Sequence, residues 1–166
     1  NSLKVNTTGT QNVAIGASTL DTNTTGGQNT AMGYAAMDNN TTGTQNTAVG
    51  GLALDANTTA VNNVAIGVGA AGGTTTGGSN IAIGTSALAS NTTGSTNVSI
   101  GQDSLYYSTT ADHNVAVGHN AMVATTTTSP RREVASKAVL PFKKNGKITM
   151  RSCDASGSSS LDAVPK

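Results

Sequence analysis

The chain has no tryptophan, one phenylalanine and three tyrosines in 166 residues. A compact domain of that length builds its core from large side chains, and this one has too few. Charged residues make up only 10%. The apolar residues are mostly Ala, Val, Ile and Leu, diluted by Thr, Asn and 20 Gly. Such a composition leaves disorder, or a repeat with small side chains at fixed positions. Cysteine occurs once, at Cys153, which excludes a disulfide within the chain. No apolar run approaches the ~18 residues needed to span a bilayer, and Asn1 does not open a signal-peptide pattern.

Catalytic chemistry is equally sparse. His113 and His119 flank one motif copy, and Asp112 adjoins His113, with no Cys or third recurring ligand nearby. Ser104 has no partnered base. Asp21, Asp38 and Asp55 recur at one spacing; stacked carboxylates are a Ca²⁺ motif, but solvated turn residues account for the same letters. The expectation is therefore no enzyme, with no catalytic, cofactor-binding or metal-ligating residue.

What is present is a repeat. The motif Asn-x-(Ala/Ser)-(Ile/Val/Met)-Gly begins at Asn12, Asn29, Asn46, Asn63, Asn80, Asn97 and Asn114, always 17 residues apart. A second column follows each glycine by four residues: Leu20, Met37, Leu54, Ala71, Leu88, Leu105 and Met122. A third is a threonine pair, running from Thr7-Thr8 to Thr126-Thr127. Seventeen residues are too few for a two-helix repeat or a leucine-rich repeat. Val, Ile and Thr favour strands; Gly and Asn favour turns.

The unit reads as one coil of a parallel β-solenoid, or β-roll. It would hold a short strand at the motif, a turn, a second short segment near Ser18–Leu20, and a turn through "NTTG". Coils stack at about 4.8 Å, so seven give a rod of roughly 34 Å. Each residue then lies over its own copy. Asparagine donates and accepts, so its column bonds to itself, where aspartate would repel its neighbours. The glycine column marks a bend with positive φ or a close backbone approach.

Alternation along the strand separates a large set (Val13, Ile15) from a small one (Ala14). Size suggests that the large set, with the Leu20 column, fills the coil, and that another chain packs on the small set. A coil this thin buries little: at about 25 cal/mol per Å², burial hardly offsets chain entropy. Side-by-side association of chains is the expected remedy.

The copies "NVAIG", "NTAMG" and "NIAIG", with "A/S-L" and Gly-rich turns between them, resemble the head repeats of YadA-like trimeric autotransporter adhesins, which are left-handed parallel β-rolls. The longer phrases "ALASNTTGSTN" and "LDTNTTGGQN" are similar to repeats in bacteriophage tail fibres. The resemblance covers about Asn6 to Thr128. It implies a homotrimer in a virion tail fibre, extracellular, in contact with other fibre or virion proteins and with host-surface glycan or lipopolysaccharide. The alternative is the head of a bacterial surface adhesin at the cell surface. The heptad stalk and anchor barrel of those adhesins are not visible.

Residues 1–128 thus read as the solenoid domain and 129–166 as a basic cap or connector, with a β-hairpin near 140–151 turning at Asn145-Gly146. The pattern is expected to stop at Ser129-Pro130, because proline blocks a strand ladder. Eight of the nine basic residues lie beyond it against three acids, a charge of +5, and the repeat carries −4, which together give +1. Aromatic partners for single-stranded nucleic acid are almost absent there, so no nucleic-acid binding is expected.

Two other readings attach to threonine. "NTT" is a glycosylation sequon at Asn6, Asn23, Asn40, Asn57 and Asn91, which turn chemistry explains equally. An ice-binding solenoid would need both hydroxyls of each unit on one face, and adjacent threonines in an extended chain point oppositely.

Overall fold

The computed structural model describes residues 1–123, 130, 132–134, 140–144 and 147–151. Cys153 and the polar C-terminal end lie outside the described residues. The chain is all-β, a parallel β-solenoid. Strands β1 (Val13–Ile15), β2 (Thr30–Met32), β3 (Thr47–Val49), β4 (Val64–Ile66), β5 (Ile81–Ile83), β6 (Val98–Ile100), β7 (Val115–Val117) and β8 (Arg132–Val134) pair in chain order in one sheet. Each partner lies 17 residues on, as with Ala48 and Ala65. No helix among the described residues is long and apolar enough to cross a membrane.

The Leu20 column fills the coil as expected, but on the strands the inside is the reverse of the expectation from size. Ala31, Ala48, Ala65, Ala82, Ser99 and Ala116, the middle residues of their strands, are completely buried. They pack with a second alanine column (Ala36, Ala53, Ala70, Ala87, Ala121) and with Leu20, Met37, Leu54, Leu88 and Leu105. The flanking Val and Ile residues point out. The coil is too narrow for branched side chains from the strand as well as leucines from the far arm. Methyl groups on the strand leave the room that the leucines fill.

The far arm is turns, with no second strand near Ser18–Leu20. Left-handed residues shape it. The Leu20 column, from Leu3 to Met122, has φ of 49–57°. The column of Ser18, Ala35, Leu52, Gly69, Ser86, Asp103 and Asn120 has φ of 53–66°. A third such column, from Gln11 to His113, has φ of 58–61° and precedes each motif asparagine. Non-glycine residues rarely adopt this region. Here the backbone bonds from coil to coil hold them in it, for example Leu20 N–H to Ala36 O at 3.1 Å and Gln28 N–H to Thr10 O at 2.9 Å.

The motif glycines carry both features expected of them. Their φ runs from 124° to 135°. A methyl group on Gly67 would lie 2.5 Å from Gly84 O.

Two asparagine ladders stitch the coils. In the motif column, each Oδ1 accepts the backbone N–H of the next asparagine: Asn63 N–H to Asn46 Oδ1 and Asn80 N–H to Asn63 Oδ1, both 2.9 Å. The Nδ2 groups cross the coil instead; Asn63 Nδ2 donates to Gly77 O at 2.9 Å. Direct side-chain contacts, such as Asn97 Nδ2 to Asn80 Oδ1 at 3.1 Å, are secondary. Side-chain to side-chain bonds carry the sequon column, whose Nδ2 groups also reach a backbone carbonyl three residues on, as in Asn23 to Gly26 O at 3.0 Å. Asn23 Nδ2 donates to Asn6 Oδ1 at 2.7 Å, Asn40 to Asn23 at 2.6 Å and Asn57 to Asn40 at 2.7 Å. Asn23, Asn40, Asn57 and Asn91 are completely buried, so in the folded coil none of them presents an acceptor for a glycan.

This second ladder is interrupted twice: Thr74 replaces one asparagine and accepts Asn91 Nδ2 at 3.3 Å, and the next break leaves groups unpaired. Position 108, due to be asparagine, is serine, and both Asn91 Oδ1 and Ser108 Oγ are buried without a partner. Ser108→Asn supplies the missing donor. A net hydrogen bond is worth about 1 kcal/mol, and an orphaned acceptor costs about 1–3. The variant is expected to be more stable by about 1–2 kcal/mol, read from its denaturant midpoint.

The sheet does not end at Pro130. Strand β8 continues in the same register, Arg132 opposite Val115 and Val134 opposite Val117, so the solenoid passes the boundary expected at residue 128. Proline cannot take the left-handed corner that His113 takes one coil earlier, because its φ is fixed near −65°. It removes no N–H from β8, which begins two residues later. Beyond it, β9 (Leu140–Lys144) and β10 (Lys147–Arg151) pair antiparallel, Lys144 opposite Lys147; the turn expected at Asn145-Gly146 lies outside the described residues.

Candidate interaction face

With the alanines turned inward, the first and third residues of each strand form two rows on the outer face of the sheet. One row is Val13, Thr30, Thr47, Val64, Ile81, Val98 and Val115. The other is Ile15, Met32, Val49, Ile66, Ile83, Ile100 and Val117. Twelve of the fourteen are apolar. Val13 is 46% exposed, Ile15 55% and Ile66 40%. The strands stack in strict register, and the face runs about 29 Å over six coil spacings. Continuous apolar rows of this kind mark contact surfaces, whereas single exposed apolar residues do not.

The other candidates fall elsewhere. The first threonine of each pair is tied down: its hydroxyl donates to the carbonyl of its copy one coil on, at 2.8–3.2 Å from Thr7 to Thr92. The second of each pair, from Thr8 to Thr110, is exposed. A single rank of hydroxyls therefore faces out.

No group of three or more His, Cys, Asp or Glu that would hold a metal occurs among the described residues. Asp112 Oδ1 accepts Ser95 N–H at 2.6 Å, a structural role. Ser104 Oγ donates to Gly101 O at 2.9 Å and lies 2.5 Å from Ser99 Oγ, so two core serines satisfy each other.

Asp21, Asp38 and Asp55 do stack. Burial, and then the Asp38 charge one coil away, push the Asp55 carboxyl above its ordinary value. The folded state thus holds that proton more tightly. The stability from this group is complete below the ordinary carboxyl range and is lost as pH rises through the folded pKa. Asp55→Asn is expected to raise the thermal midpoint at pH 7 and to leave it unchanged at pH 3, which melts at the two pH values will show.

Comparison with protein-family models, with curated proteins and with solved structures finds no match. The case for function therefore rests on the geometry.

Proposed function

We propose that the chain is a structural segment of a phage tail fibre: a rigid homotrimeric spacer that also contacts the host surface. The observation that carries the reading is the apolar double row on the outer face of a solenoid whose own core is alanine and leucine. One chain leaves that face in water. Three chains around one axis would cover it, on the Val13 and Ile15 rows rather than on the small residues expected from sequence.

A stack of identical coils gives reach and stiffness without catalytic machinery, and the repeat phrases resemble fibre repeats. The head of a bacterial trimeric adhesin uses the same construction and is the second reading. The outward rank from Thr8 to Thr110 is the one feature that favours ice contact, and thermal hysteresis of the purified protein tests it.

Native mass tests the proposal, with about three times 16.3 kDa expected. Ile66→Lys puts a charge at the centre of the face and is expected to yield folded monomer. A monomeric parent chain would refute the trimer.

A further inference from the structure

The columns break at one place on the surface. The position of Asp21, Asp38, Asp55, Gly72 and Ala89 becomes Tyr106, and the next column, elsewhere Thr22, Asn39, Ala56, Gly73 and Ser90, becomes Tyr107. Stacking does not need tyrosine there, since five other coils close without it. Two of the chain's four aromatic residues thus stand side by side on one coil. With Asp103, Asn120 and Val123 they line a shallow surface hollow, wide open to solvent, of about 220 Å³.

We propose that this hollow binds one unit of a neutral saccharide. The two rings meet edge to face, with centroids 4.7 Å apart and planes at 74°. The edge of one ring is set against the face of the other. The planes are nearly perpendicular, so the stacking surface for a ligand is a single ring face, that of the exposed Tyr107, where an ammonium cage needs several converging ring faces. Tyr107 is 56% exposed, so apolar ring surface is open to a ligand.

A pyranose has a C–H face for such a surface and a rim of hydroxyls. The Asn120 amide both donates and accepts, and the Asp103 carboxylate accepts. The Asp103 carboxylate already receives Gln102 Nε2 at 3.1 Å, and its charge disfavours an anionic sugar. The hollow is below the roughly 300–1,000 Å³ of drug-sized pockets, which suits a single ring.

Gly101, Asp103 and Leu105, all with positive φ, turn the chain between Ile100 and Tyr106. No residue of the apolar face lines the hollow. The site and that face therefore share no residue. The proposal rests on the host-contact reading for its setting and supplies that reading with a contact point.

Two of the three tyrosines are at the site and there is no tryptophan, so tyrosine emission reports occupancy directly. The probes are D-glucose, D-galactose, D-mannose and N-acetyl-D-glucosamine, with choline and N-acetylneuraminic acid representing the cationic and anionic classes. A saturable change with at least one neutral sugar is expected. It should weaken about tenfold or more in Tyr107→Ala, the loss of one stacked ring, and in Asp103→Asn, while Tyr34→Ala binds as the parent does. Melting curves of each variant establish that it is folded.

The proposal is overturned by no saturable response up to about 100 mM, well beyond millimolar affinity. It is equally overturned by binding that survives Tyr107→Ala, or by a response to choline or the acidic sugar alone. Native mass on the same samples separates the two readings. A trimer that binds no neutral sugar removes this site and leaves the fibre segment standing; a monomer that binds one does the opposite.

Discussion

Gly67→Ala is expected to destabilise the solenoid by about 4 kcal/mol, the sum of backbone strain of roughly 1–3 kcal/mol and a steric clash of roughly 1–3 kcal/mol. The residue sits at φ 135°, where an L side chain is strained. Its added methyl would meet Gly84 O at 2.5 Å and Gly84 C at 2.6 Å. Those atoms are backbone of the next coil, and they cannot move without breaking the register of β5. The atoms met are all backbone, so no side-chain rotation relieves the clash.

Gly51, one residue past the motif glycine of the preceding coil, is the control. A methyl there meets only Tyr34 O at 3.7 Å, ordinary contact. Gly51→Ala is expected to be neutral or slightly stabilising, since it reduces the freedom of the unfolded chain. Denaturant titration of the two variants measures the difference, and equal effects would contradict the stacked geometry.

Asn63→Ala is the second large effect, a loss of about 3–4 kcal/mol. The side chain is buried. Its removal orphans the Asn80 N–H, which Oδ1 accepts at 2.9 Å, and the Gly77 carbonyl, to which Nδ2 donates at 2.9 Å. Each buried group left without a partner costs about 1–3 kcal/mol.

The isosteric Asn63→Asp separates hydrogen bonding from shape. An ionised carboxylate keeps the acceptor for Asn80 but turns an oxygen towards Gly77 O, and it buries a charge. Burial raises its folded pKa, so stability is complete below the ordinary carboxyl range and is lost as pH rises through the folded value. The aspartate variant should be worse than alanine at pH 7 and better at pH 3. A pH-independent deficit would contradict the ladder.

The architecture was legible because it is carried by spacing. A 17-residue period with Asn, Gly and Thr in fixed columns leaves almost no other fold, and β1 to β7 fall on the motif copies. Which face was inside was not legible. Val-Ala-Ile shows that Val and Ile share a side, but alternation has no sign, and residue size pointed the wrong way. The deciding quantity is the width of the coil, which depends on the far arm. That arm is set by left-handed Leu, Ser and Gln columns, and nothing in those residue types announces positive φ.

The second ladder was hidden for a different reason. Asn23 and Asn40 satisfy a sequon and a turn as well as a stack, so three explanations share the same letters. Pro130 misled because the ladder needs only the N–H groups of β8, which begins two residues later. The exposed apolar face, the candidate site for assembly, follows once the alanines are placed inside.

Distances along the rod report whether each residue lies over its copy one coil on. Spin labels at the exposed Thr8, paired in turn with Thr76, Thr93 and Thr110, lie four, five and six coils apart. With Cys153 replaced by serine and labelled chains diluted among unlabelled ones, pulsed dipolar spectroscopy should give narrow distributions near 19, 24 and 29 Å, rising by about 4.8 Å per 17 residues. Distances that are broad, or that fail to increase by equal steps, would contradict the stacking of each residue on its copy.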